Sequence, residues 1–372
     1  MKYLYIDNIR GIAILMVIFV HSAQKIDGIS SELLWMSMYG QMGVQLFFIA
    51  SAYTLCLSHE KRNDEHYPLT NFYIRRLFRI APLYYVGIVL YFILYLVETS
   101  LSNENSDSYY SIVNVLANVF FLHGFYPAAN NNIVPGGWSI GTEVVFYSVF
   151  PIIIWMVKKL WNVNKYSIWL LPLIGALMSQ TFNLLILFWT NGSIGIANNN
   201  FIYFNFFNQL PVFLIGIALF YSEKQCSLNF NIFMFVLFSF FSLMLWRYKI
   251  NYLFTVIPLL SGISFVFLFL LLRNNKWLTS KIIGKIGKYS YGIYITHFIF
   301  AWFVPEYFLY PMLKDILSSN LIFLLSIIIT LVGAYLLSSI FYRVIESPVV
   351  IFGSAIIRRR EAAVSQSNGL KP

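Results

Sequence analysis

The sequence predicts an all-α integral membrane protein of about ten transmembrane helices with both termini in the cytoplasm, and three observations carry that reading. Of its 372 residues, 59% are hydrophobic and only 11% are charged, against about a quarter charged in a water-soluble domain. The mean hydropathy is +0.70. The chain divides into apolar runs of roughly 20 residues, the length that crosses a hydrocarbon core. About ten such runs leave no room for a large extramembrane catalytic domain.

In chain order, the first span is Ile9–Gln24. Lys2 ahead of it imitates the start of a secretory leader, but no small-residue cleavage site follows, so it is read as a retained helix. After the second span, Trp35–Leu57, comes a charged inner connection, Ser58–Arg79. That connection ends in Phe72-Tyr73-Ile74-Arg75-Arg76-Leu77-Phe78-Arg79, where apolar and basic residues interleave at helical spacing. It reads as an interfacial helix. The third span, Ile80–Val97, opens onto the outer connection Glu98–Gly137. The apolar stretch Ile112–His123 within it is too short to span, so it is re-entrant or lies on the surface. The remaining spans are Trp138–Val157, Ser167–Trp189, Tyr203–Tyr221, Asn231–Tyr248, Tyr252–Leu272, Ser290–Val304 and Leu321–Tyr342. Residues 1–348 form one transmembrane domain, and 349–372 read as a basic, polar cytoplasmic tail. Its arginines Arg358–Arg360 meet the headgroups, and its end frays.

The formal net charge is +10, from 25 basic against 15 acidic residues. A nucleic-acid-binding fold would cluster such charge on a solvated face. Here the charges sit in loops between apolar runs. Only Lys25, Arg247, Lys249 and Lys314 fall on outer connections, and the other basic residues fall on inner ones or at the termini. This asymmetry is the positive-inside rule, and it sets the orientation. Cys56 and Cys226 lie at the ends of apolar runs without metal-ligand spacing and read as structural. No metal is expected, and no nucleic acid.

Ionisable groups inside a span are functional candidates by default. Arg10 and His21 stand eleven residues apart on the first helix, roughly 16 Å at 1.5 Å per residue. Eleven residues make almost three turns, so both fall near one stripe. Each has a purely structural alternative: for Arg10 a snorkelling arginine, for His21 an imidazole satisfied by a neighbouring helix. Glu143 lies in the fourth span without a basic neighbour in sequence, so it needs a partner from another helix, and a histidine is a natural one. His297, among tyrosines in the ninth span, is either a hydrogen-bonding hub or a catalyst. His59, His66 and His123 are set aside. A histidine near a carboxylate suits general-base attack by a hydroxyl. Arg75, Arg76 and Arg79 beside Arg10 suit a polyanionic cofactor, because guanidinium groups grip phosphates in bidentate fashion. They suit anionic lipid headgroups as well.

Six landmarks follow one another along the chain. They are Arg10-Gly11 with His21; Phe47-Phe48-Ile49-Ala50-Ser51; Arg76-Leu77-Phe78-Arg79-Ile80-Ala81-Pro82-Leu83-Tyr84; Trp138-Ser139-Ile140-Gly141-Thr142-Glu143 with Phe146-Tyr147 and Pro151; Gly287-Lys288-Tyr289-Ser290-Tyr291-Gly292 with Tyr294 and His297; and Ile345-Glu346-Ser347-Pro348. In that order they resemble the membrane acyltransferase 3 family, across residues 10–348. Ala52 stands where many relatives have glycine, and Ile140 replaces a common leucine.

The resemblance implies a bacterial inner-membrane O-acyltransferase that moves acetyl from acetyl-CoA to a hydroxyl of a cell-surface or lipid-linked saccharide, such as O-antigen, capsule or exopolysaccharide. It implies that His21 is the base or a transient acyl carrier, with Glu143 and Ser139 beside it. Arg10, Arg76, Arg79 and Arg75 are implied as the CoA phosphate holders. Ser51, Trp138, Tyr147 and His297 are implied as substrate-side or structural support. The expected partners are acyl-CoA, a saccharide acceptor and membrane lipids, with acceptor recognition in Glu98–Gly137 and Asn191–Asn200. Some relatives carry a fused esterase-like domain that is lacking here, so transfer is expected to finish within the membrane domain. The rival reading is a secondary transporter or flippase of a lipid-linked saccharide, whose deep His and Glu would carry protons.

Overall fold

The computed structural model describes residues 3–62, 64–102, 110–189, 201–222, 226–248 and 256–367. Among the described residues there is no strand, and ten helical segments are long and apolar enough to cross a membrane. Helix α1 (Leu4–His21) is followed by α2 (Ser31–Met38), a tight turn Tyr39–Met42 and α3 (Gly43–Glu60), which together make the second span. Helix α4 (Pro68–Ser102) is the third. A short outer helix, α5 (Ile112–Val119), precedes α6 (Gly137–Val163) and α7 (Leu170–Trp189). The short α8 (Phe201–Phe204) joins α9 (Phe206–Tyr221), and α10 (Leu228–Tyr248) pairs with α11 (Ile257–Asn274). Helix α12 (Lys281–Lys288) leads into α13 (Ser290–Phe298), which loosens into wide turns at Ile299–Phe303 and Pro305–Leu309 before α14 (Tyr310–Leu313). Helices α15 (Ser319–Phe341) and α16 (Ser347–Ser367) close the chain, joined by a wide turn at Tyr342–Glu346.

Three sequence expectations change. The interfacial helix proposed before Arg79 is not a separate element: α4 runs unbroken from Pro68 through Pro82 into the third span. A proline inside a helix frees a carbonyl, and beside it the Tyr291 hydroxyl donates to the Ile80 carbonyl at 2.7 Å. Neighbouring side chains are what make such prolines tolerable in a bilayer. The tail expected to fray is helical through Ser367 and folds back on α4. There the Glu361 carboxylate accepts from the His66 and Tyr67 backbone N–H groups and from Asn71 Nδ2, at 2.9, 3.2 and 2.7 Å. It thereby satisfies donors at a helix start, where negative charge is favoured. The first span begins at Leu4 rather than Ile9, which sets Arg10 nearly two turns into the helix. The expected start of the eighth span at Tyr252 and the loop Asn191–Asn200 lie outside the described residues, as do residues 103–109 of the outer connection.

Helix α1 is the centre of the bundle, packed against α3, α12, α13 and α15. Its contact with α12 is backbone to backbone. A side chain at Gly287 would run into the Asp7 carbonyl, and one at Gly11 into that of Ile283. Small residues let helices approach this closely where lipid removes the ordinary hydrophobic drive. Asn8 stitches the contact by donating to the Ser280 carbonyl at 3.0 Å and accepting from the Ser280 N–H at 2.8 Å. The Ser280 hydroxyl in turn accepts from Ile282 and Ile283 at the start of α12.

The outer segment after α5 tucks into the bundle. His123, set aside from the sequence, is fully buried there, with Nε2 at 3.0 Å from the Gly137 carbonyl and 3.2 Å from the Tyr84 hydroxyl. Burial pulls its imidazole below the ordinary value, partly offset by hydrogen bonds to the Gly137 and Ala117 backbone.

Two outcomes follow from these contacts. Gly287→Val should cost at least the ~1–3 kcal/mol of an overpacked core, read as a lower melting midpoint in detergent; an unchanged midpoint would refute the close approach of α12 to α1. Because burial disfavours the charged form of His123 in the fold, its contribution is present above the ordinary histidine value near 6.5 and falls as the pH drops below it. Hydrogen exchange over residues 110–136, corrected for intrinsic rates, should therefore rise between about pH 7.5 and 5.5. His123→Gln should remove most of that pH dependence.

Candidate active site

Five helices of the bundle enclose a cleft with about 710 Å³ of empty volume, mouth included. Arg10 enters from α1, Ser51 and Thr54 from α3, Arg76 and Arg79 from α4, and Ser139, Glu143 and Tyr147 from α6. Tyr291 and Tyr294 of α13 close it. Arg76 and Arg79 share the cleft because they are three residues apart, on one face of α4. Glu143 and Tyr147 are four apart on α6 for the same reason.

The cleft holds three guanidinium groups and one carboxylate, an excess of positive charge. The carboxylate is occupied by hydroxyls: Ser51 and Tyr147 both donate to Glu143 Oε1, the latter at 2.5 Å. No histidine partners it, contrary to the sequence expectation. Arg10 reaches the Thr54 hydroxyl at 3.2 Å, which donates onward to the Ser51 carbonyl at 3.0 Å. The Arg76 guanidinium lies over the rings of Phe72 and Tyr147, at 5.9 and 5.8 Å. Its buried Nε has no hydrogen-bond partner. A buried charged donor without a partner is costly, and a phosphate oxygen would satisfy it. The residues present thus fit a phosphorylated ligand.

Arg75 takes no part in the cleft. Both of its terminal nitrogens bond the Glu65 carboxylate, at 2.8 and 2.9 Å. Trp138 is also absent from the lining; it is 6% exposed and stacks on Phe204 with ring centroids 4.6 Å apart. Ser139 lines the cleft but contacts neither a histidine nor a carboxylate. Its hydroxyl lies 2.8 Å from the Tyr294 hydroxyl and 3.1 Å from the Gly136 carbonyl, which also accepts from Tyr294 at 3.0 Å. Gly136 precedes α6 in the left-handed region, at φ 76°. That conformation suits glycine, and it presents the carbonyl to both hydroxyls.

His21 does not line the cleft. It ends α1 in a second group of residues, with its ring centroid 5.2 Å from that of His297 and 4.3 Å from that of Phe298. Its Nδ1 lies 2.8 Å from Gln24 Oε1, which also accepts from Trp302 Nε1 at 3.0 Å. His297 is buried, and its Nδ1 lies 2.7 Å from the Tyr294 carbonyl while Nε2 is buried without a partner. The two groups meet at Tyr294, which lines the cleft and holds its ring 5.6 Å from that of His297. The arrangement is therefore a cationic cleft at one end of α1 and a histidine pair at the other, with a tyrosine between.

Sequence reading overlooked Thr54, Gln24 and Trp302. Gln24 had a legible signal, since a polar residue three positions after a helix-terminal histidine can fold back on it. Trp302 had none, because it belongs to a different helix.

The chain matches the Acyltransferase domain family over residues 3–339. It is 23% identical to a "Putative O-acetyltransferase" of Staphylococcus aureus strain MRSA252, over 97% of this chain and 59% of that protein. It is 25% identical to the O-acetyltransferase OatA of Staphylococcus aureus strain NCTC 8325, over 92% of this chain and 56% of that protein. The chain thus spans less than two thirds of these relatives' length. No solved structure matches it. With the family matched across nearly the whole membrane bundle, the chain belongs to the acyltransferase 3 family.

Proposed function

We propose that this chain is a membrane O-acyltransferase that takes acetyl from cytoplasmic acetyl-CoA and places it on a hydroxyl of a cell-surface or lipid-linked saccharide. One observation carries the reading: Arg10, Arg76 and Arg79 converge on a single cleft whose far wall, Tyr294, touches the residues around His21. With both termini in the cytoplasm of a bacterium, as the basic loops favour, the arginine end faces the donor pool. His21 lies toward the opposite face of the plasma membrane.

In this reading Arg76 and Arg79, helped by Arg10, hold the phosphates of the donor. Guanidinium groups form strong charge-assisted bonds to such oxygens. Glu143, accepting from Ser51 and Tyr147, ties α3 to α6 and keeps the cleft walls in register. His21 takes the proton of the acceptor hydroxyl as the hydroxyl oxygen bonds to the acyl carbon. The carbon–sulfur bond breaks, and the same proton passes from His21 to the leaving sulfur, so the histidine is restored. The names of the relatives favour oxygen as the acceptor atom.

The test compares cells carrying the intact gene, a deletion and His21→Asn, with membrane levels of the protein matched. Surface glycans are examined by mass spectrometry and NMR for a base-labile acyl ester. The ester should be present only with the intact gene. Equal esters in all three, with altered amounts of surface glycan, would overturn the reading in favour of a transporter. In proteoliposomes, Arg76→Ala and Arg79→Ala should each weaken acetyl-CoA binding by roughly 10- to 100-fold, the size of one lost charge-assisted hydrogen bond of about 1.5–3 kcal/mol. Arg75→Ala should leave that affinity within a factor of two, because its partner is Glu65.

A further inference from the structure

We infer that Gln24, held by Trp302, is the positioning residue that fixes the tautomer of His21 so that Nε2 is the bare ring nitrogen. The inference rests on the acyl-transfer reading only for its consequence; the geometry stands without it. An indole N–H is a donor and nothing else. The Gln24 atom 3.0 Å from Trp302 Nε1 must therefore be the amide oxygen, which removes the ordinary ambiguity between oxygen and nitrogen in a glutamine side chain. The same oxygen faces His21 Nδ1 at 2.8 Å. An oxygen that has only lone pairs to offer makes Nδ1 the protonated nitrogen. Nε2, which bonds nothing among the described residues, keeps its lone pair.

The neighbouring imidazole follows the same logic with different partners. His297 Nδ1 faces the carbonyls of Tyr294 and Ile293, at 2.7 and 3.2 Å, so it too carries the proton. Two rings 5.2 Å apart are thus held in one tautomer, each with Nε2 unprotonated. The devices differ in strength of design. His297 is fixed by the backbone of its own helix, which no side-chain substitution removes, whereas His21 depends on a single amide. A histidine base needs a partner on its second nitrogen to hold ring and tautomer. Gln24 supplies that partner without a charge, where many histidine bases have a carboxylate. Glu306 is engaged by Lys25 at 2.6 Å.

For His21 acting as base, the lone pair on Nε2 accepts the acceptor's hydroxyl proton, and Nδ1 keeps its own proton on the Gln24 oxygen throughout. The imidazolium formed for that moment is stabilised by the amide dipole. If Gln24 is removed, the ring is free to turn or to move its proton to Nε2, and a protonated Nε2 cannot act as a base.

The experiment uses the full chain labelled with ¹⁵N-histidine in liposomes, together with ester content of surface glycans in cells at matched protein levels. By solid-state NMR, the His21 signal, identified by its loss in His21→Asn, should show a protonated Nδ1 and an unprotonated Nε2. Gln24→Leu should convert it to the other tautomer or a mixture, and lower ester content by about 100-fold, the order expected for a misplaced catalytic group. Gln24→Glu restores an oxygen acceptor and should keep the tautomer and recover ester content to within a few-fold of the intact chain. Should Gln24→Leu fail to fold, Trp302→Phe frees the amide to rotate while leaving Gln24 in place, and should give mixed tautomers. A protonated Nε2 in the intact chain, or an unchanged tautomer and ester level in Gln24→Leu, would overturn the inference. If the intact chain yields no ester, the acyl-transfer reading fails, and the tautomer measurement still decides what Gln24 does.

Discussion

Most of this molecule depends on how closely α1 is allowed to approach other backbones. In lipid, apolar area supplies no drive for helices to associate, so contact density and hydrogen bonds must supply it. Helix α1 obtains both. Gly284 and Gly287 of α12 admit it on one side, and on another Gly40 and Gly43 leave room for the carbonyls of Met16 and Ala13. Asn8 bonds the loop before α12 in both directions. Because α1 is held along its length, the separation between Arg10 and His21 is a property of one rigid helix. A donor-holding end and a base-bearing end keep their spacing without needing contact with each other.

Elsewhere in the bundle, polar side chains are bound to one another. Gln45 Nε2 donates to Gln209 and to Tyr203, at 2.8 and 3.2 Å, and Asn183, Asn205, Asn208 and Ser179 form a linked set between α7 and α9. Such networks give a membrane bundle specificity, although Gln45 Oε1 is left without a partner. The histidine pair and the arginine cleft are different, because each keeps a buried nitrogen without a partner, at His297 Nε2 and Arg76 Nε. Other unpartnered buried atoms exist, at Trp35 and Asn231 for example. Glu346 Oε1, in the last of the six landmarks, is another.

The membrane class and the number of spans were legible because hydrophobic run length is a one-dimensional signal. The clustering of Arg10, Arg76 and Arg79 was legible as well, from basic residues at helical spacing near one face. What the sequence obscured were matters of direction. Arg75 looks equivalent to its neighbour, yet one step along a helix turns a side chain about 100°, and Glu65 captures it. Glu143 looked in need of a cation or a histidine, while two hydroxyls from different helices were enough to occupy it. The continuity of α4 was hidden by Arg75, Arg76 and Arg79, whose charge reads as an interfacial stretch outside the span. The docked tail was hidden by its charge, which suggested solvent rather than a capping contact.

That docked tail gives the bundle a mechanical linkage. Helix α16 grips the start of α4 through Glu361, and Phe352 packs on Phe78 of the same span with ring centroids 5.8 Å apart. Arg76 and Arg79 ride on that span. Helix α16 is thus a lever clamped to the arginine-bearing helix. Tension or torque on α16 would then be felt first at the cationic mouth, and would reach α13 through the Tyr291 hydroxyl on the Ile80 carbonyl.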